Sequence, residues 1–80
     1  MKLVDLRVGE KGRVSGLTVG WRAQRRLMDL GIHVGTELTL LAVHPWGGPL
    51  LLRVGGTHVA LGRGMAGKVS VETAEDDKTG

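Results

Sequence analysis

The 80-residue sequence has no cysteine, no phenylalanine and no tyrosine, and only two tryptophans, two prolines and two serines. Without cysteine, a disulfide framework, a thiolate metal site and a cysteine nucleophile are excluded. The two serines, Ser15 and Ser70, lack a supporting histidine–acid arrangement, which argues against a serine nucleophile. No apolar run approaches the roughly 20 residues a membrane-spanning helix needs. Met1 to Arg7 carries charges where a secretory signal needs an apolar stretch, so a cytoplasmic protein without direct membrane insertion is expected. With Trp21 and Trp46 as the sole aromatics, a base-stacking platform would be thin.

Glycine is abundant, with 14 residues, and with so little proline and serine this reads as many tight turns rather than disorder. The length suits one modest domain. Charge is unevenly spread. Residues 1–71 carry ten Lys or Arg against four acids, a net +6, whereas residues 72–80 carry one Lys against four acids, a net −3. The expected division is a folded domain over 1–72 and a polar, flexible tail over 73–80. A basic body suits an acidic partner surface, but it also serves solubility alone.

Along the chain, residues 12–19 predict a first strand, with Gly16 marking a bulge. Trp21 to Leu30 predicts a helix with Ala23, Leu27 and Leu30 on its inner face. Gly31 then suits a left-handed closing residue, with Ile32 folding back on Leu27. The best strand spans Thr36 to Val43, with Leu38, Leu40 and Ala42 inward. A turn-rich segment from His44 to Pro49 precedes a strand over Leu50 to Val54. Gly55-Gly56 predicts a hairpin to Thr57–Leu61. Gly62 to Gly67 is a tight connection, and Lys68 to Glu72 the last strand. These elements predict a mainly β fold: a small antiparallel β-barrel of about five strands with one short α-helix between the first two strands.

No constellation suggests catalysis, and the chain is not expected to be an enzyme. His33, His44 and His58 are the candidate metal ligands, but none shares an element with another ligand at a binding spacing. The carboxylates are scattered. Asp29 opposes the helix dipole in the last turn, so a pairing with Arg25 or Arg26, or with a nearby amide, is expected. Gly62–Gly67 fits G-x-G-x-x-G as a string, yet a short strand follows where a nucleotide site needs a long helix. Of the apolar residues opposite the inward sets, Leu41 and Val43 are expected to be covered by the barrel's curvature. Leu51 and Trp46 are expected to be exposed, and Met28 lies off the inner helix stripe.

The segment Arg25-Arg26-Leu27-Met28-Asp29-Leu30-Gly31-Ile32, followed by Gly35-Thr36, resembles the signature of the ferrous iron transport protein A (FeoA) family. Pro45 and Pro49-Leu50 bracketing the loop, Val59-Ala60-Leu61, Ala66 and Val69 to Val71 extend the likeness across the domain. The resemblance implies an SH3-like barrel. It also implies a cytoplasmic accessory of ferrous iron uptake that binds the membrane iron permease FeoB, itself equipped with a GTPase domain. The same fold resembles the C-terminal domain of diphtheria-toxin-repressor-type metalloregulators. Val34 departs from the family's usual Pro and Gly48 from its frequent Asp. Gly62, Gly64 and Met65 stand where the family carries Arg and Glu in a short helical turn, and three glycines in that stretch should weaken the turn.

The candidate partner-binding residues are therefore Arg22, Arg25, Arg26, Met28, Trp46 and Leu51. No cofactor is required, though a weakly held Fe²⁺ or other divalent transition metal fits a second reading as a metal-binding module or iron chaperone. A third reading, a nucleic-acid-binding basic barrel, has the arginines but few aromatics, and nucleic acid is the less expected partner. A second copy of the chain is a further possible partner.

Overall fold

A computed structural model describes residues 1–73. Most of the expected tail lies outside the described residues. Its first residue, Thr73, is within the domain, only 6% exposed.

The chain opens with a 3-10 turn at Leu3–Asp5, closed by Asp5 N–H donating to Lys2 O at 2.9 Å. The regular elements are β1 (Lys11–Leu17), α1 (Trp21–Asp29), β2 (Glu37–Val43), β3 (Leu50–Val54), β4 (Thr57–Leu61), α2 (Arg63–Ala66) and β5 (Val69–Glu72). The five strands form one antiparallel sheet in the order β4-β3-β2-β1-β5, the SH3-like arrangement, with β4 and β5 as its edges. The sheet curls around a core to which every strand contributes, along with Leu3, Leu27, Ile32 and Ala66. The curl is tight at Gly12, where an added Cβ would lie 3.2 Å from Val71 Cβ.

The expected bulge at Gly16 is present, since the β1–β5 register shifts between Val14 and Gly16. A second bulge, between Leu40 and Ala42 in the β2–β3 pairing, corrects the reading of β2. The extra residue reverses the alternation. Ala42, expected inward, is exposed, and Leu41 is half-buried. Val43, the last residue of β2, is also exposed, although its register partner Leu50 is buried.

The helix ends one residue earlier than expected, with Leu30 as its cap. Gly31 has φ +87°, Ile32 N–H donates to Leu27 O at 2.8 Å, and Gly31 N–H donates to Met28 O at 2.9 Å. These two bonds are the pair that defines a Schellman ending. They also correct the inner face: Leu30 is 38% exposed, while Ile32 is fully buried. The left-handed turn at Gly31 carries the chain back so that Ile32 fills the place periodicity assigned to Leu30.

The glycine-rich connection is helical despite its composition. Ala66 N–H donates to Gly62 O at 2.9 Å and Gly67 N–H to Arg63 O at 3.0 Å. Gly62 and Gly67 are the caps, where glycine costs little, and only Gly64 is interior. Ala66, fully buried, and Met65, packed on the core, hold the turn in place.

Candidate functional site

With Leu27 buried and Ala23 half-buried, α1 turns Trp21, Arg25 and Met28 outward. A helical rotation of 100° per residue puts these three on one stripe, with Arg22 and Arg26 along its flank. The Arg22 guanidinium stands 5.9 Å from the centre of the Trp21 ring, within cation–π range. Among the described residues the one ion pair is Arg13–Glu72, at 3.5 Å. The three helix arginines therefore carry their charge without a carboxylate partner there. Among the described residues Asp29 has no ion-pair partner either, so the expected pairing with Arg25 or Arg26 is not made.

The β2–β3 loop closes through His44 N–H donating to Pro49 O at 3.1 Å. At its tip Trp46 is 98% exposed and has φ +65°, followed by Gly47 at φ +74°. A bulky side chain in the left-handed region costs on the order of 1–2 kcal/mol. The ring gains no burial in return, so the residue presents a large apolar surface at a backbone cost. Leu51 lies below this tip on the outer face of the sheet, in register with Ala42 and Ala60.

The structure divides the predicted partner residues into two groups. Arg22, Arg25, Arg26 and Met28 lie together on α1, before β2, whereas Trp46 and Leu51 lie after it, in the β2–β3 loop and on β3. Trp21, absent from the predicted set, belongs with the first group. Its position one helical turn before Arg25 was the available signal.

The histidines are not gathered. His33 Nδ1 lies 3.1 Å from Val34 O, and His44 Nδ1 lies 3.1 Å from Pro45 O. His58 is on β4. No group of three or more His, Asp or Glu placed to hold a metal ion occurs among the described residues. His58 does line a cleft of about 470 Å³ between the end of α1 and β4, together with Asp29, Leu30, Gly31 and Val59. Sequence periodicity carries no signal for this cleft, because it depends on which strand lies at the sheet's edge. No described helix is long and apolar enough to cross a membrane.

Residues 1–73 match the family model of the FeoA domain. The chain is 36% identical over 67 residues to an Fe(2+) transport protein A of Methanocaldococcus jannaschii, covering 84% of this chain and 79% of that protein. It is similar in structure to a crystallised iron uptake regulatory protein (FeoA), with a TM-score of 0.84 and 35% identity, over 90% of this chain and 95% of that one. A manganese-dependent transcriptional repressor shares the fold at a TM-score of 0.83 and 23% identity, over 91% of this chain and 41% of the repressor.

Proposed function

The chain belongs to the FeoA family, which takes part in ferrous iron transport, and on that premise we propose that it is a cytoplasmic accessory that works by binding the permease FeoB. The observation that carries this reading is the outward face of α1. Three arginines there are free of carboxylate partners among the described residues, around an exposed apolar pair, Trp21 and Met28. Arginine and tryptophan on one stripe match the composition of binding hot spots. Long-range attraction by the arginines favours an acidic partner surface and speeds encounter. Trp46 and Leu51 supply a second, apolar contact for a partner broad enough to reach both groups. Fe²⁺ enters this reading as the permease's cargo rather than as a ligand of this chain.

Titration of the protein with the permease's cytoplasmic domain, in each nucleotide state, tests it. Saturable binding is expected, with Arg25→Glu lowering affinity about tenfold, the equivalent of one close charge contact. Absence of binding in every nucleotide state, or binding indifferent to both Arg25→Glu and Trp46→Ala, overturns the reading.

A further inference from the structure

We propose that the open edge of β4 is a docking site for an extended, basic peptide segment of a partner protein, which adds to the sheet as a further strand. This site is separate from the α1 face and from the iron-uptake reading.

The backbone supplies the first argument. Val54 and Thr57 flank the two-residue Gly55-Gly56 turn, so they form a hydrogen-bonded pair. Alternation along an antiparallel ladder then makes Leu52–Val59 and Leu50–Leu61 hydrogen-bonded pairs. The N–H and C=O groups of His58 and Ala60 must point away from β3. Among the described residues neither residue makes a backbone hydrogen bond to any other segment. Natural edges are commonly blunted by proline, lysine, a bulge or a covering segment. Residues 57–61 contain no proline or lysine, and their register with β3 is unbroken. The other edge shows what covering looks like here: an extended N-terminal segment pairs with β5 through Met1 and Val71, and Lys2 bridges to Ser70.

The cleft beside β4 says what kind of strand fits. Its far wall is the end of α1, which lies on the core side of the sheet, since an added Cβ on Gly31 would stand 3.4 Å from Val54 Cγ1. A strand laid along β4 would alternate its side chains. Those on the side of Val59 would meet Leu30, apolar and partly exposed, and Asp29. Asp29 sits where the helix dipole disfavours an acid, and it has no cationic partner among the described residues. A lysine or arginine on the incoming strand answers both the carboxylate and the negative end of α1. With the end of α1 as one wall of the cleft beside β4, the site suits a single extended segment, and a second copy is an outcome the test distinguishes. The occupant is thus a segment with apolar and basic residues at alternate positions, bound by β-augmentation.

A ¹⁵N NMR titration of the full chain tests this with a capped alternating Val/Lys hexapeptide as probe. The expected result is saturable shifts at residues 57–60 and 29–31. Replacing Lys by Glu in the peptide, or N-methylating its alternate amides, should weaken binding at least about tenfold, because each removes the ion pair or the ladder. Asp29→Asn should weaken it about three- to fivefold at low salt and not at high salt. Ala60→Pro should abolish binding, since only an outward N–H is lost from an edge strand. Should that variant not fold, the N-methylated peptide tests the same bond. Absence of saturable shifts, shifts elsewhere, or equal binding of the Glu peptide overturns the proposal. So does movement of the same signals on raising the protein concentration alone, with dimers in sedimentation, which would assign the edge to a second copy. The probe contains neither permease nor iron, so failure here leaves the accessory role standing.

Discussion

At β5, Val71 N–H donates to Met1 O at 2.8 Å and the N-terminal amine donates to Val71 O at 3.3 Å, whereas at β4 the outward groups of His58 and Ala60 meet no other backbone segment among the described residues. The difference lies in what each edge has beside it. The N-terminal segment is anchored beside β5 by Leu3, the first residue of the 3-10 turn, and Leu6, its cap, both sunk in the core. Next to β4 stands α1, whose C-terminal residues wall a cleft beside the edge without pairing to it. One edge is finished by the chain's own backbone, and the other is open among the described residues.

The largest effect is expected from breaking the covered edge. Leu3 is fully buried, so Leu3→Ala should cost about 2–5 kcal/mol in chemical denaturation, with faster amide exchange at Val71. In the intact protein the Val71 amide should exchange at least about tenfold more slowly than those of His58 and Ala60, although all three lie in strands. Equal rates would erase the distinction between the edges. Next is Gly31→Ala, which places a Cβ at φ +87° and should cost about 1–2 kcal/mol in thermal melts. It should also move the Val54 and Leu30 signals as the cleft wall shifts. Trp46→Gly relieves a left-handed aromatic in the β2–β3 loop, outside both edge strands, and should raise stability by about 0.5 kcal/mol without altering exchange at either edge. The smallest is Asp29→Asn, which should stabilise the isolated protein by about 0.3 kcal/mol at low salt, an effect that salt removes. The same substitution should weaken peptide binding, so stability and binding would change in opposite directions.

Much of this was legible in local pattern. The helix, its left-handed Gly31 and the fold-back of Ile32 onto Leu27 follow from spacing and from glycine's freedom at positive φ. The Gly16 bulge and the Gly55-Gly56 hairpin follow from turn chemistry. Other positions were decided by neighbours. Leu30 matches the apolar period of α1 yet is displaced from the core by Ile32. Ala42 fits the alternation of β2, but a bulge against β3 turns it out. The helix at Arg63–Ala66 forms against its composition because Ala66 has a buried place to occupy. Of the candidate site, exposure of Arg22, Arg25, Arg26, Met28, Trp46 and Leu51 was readable from their positions off the apolar periods. The left-handed backbone that presents Trp46 was not.

The sequence by itself determined the mainly β fold, the place of its helix, the domain's basic charge and the likeness to the FeoA family. These depend on residue type and on spacing within a few residues, where backbone sterics, turn chemistry and apolar periodicity act. Only the tertiary structure decided that β4 and β5 are the edges, that one is paired and the other open, and that Asp29 faces His58 across a cleft. Those outcomes come from strand order and sheet curvature, which bring together segments nearly 30 or 70 residues apart and which no local pattern encodes.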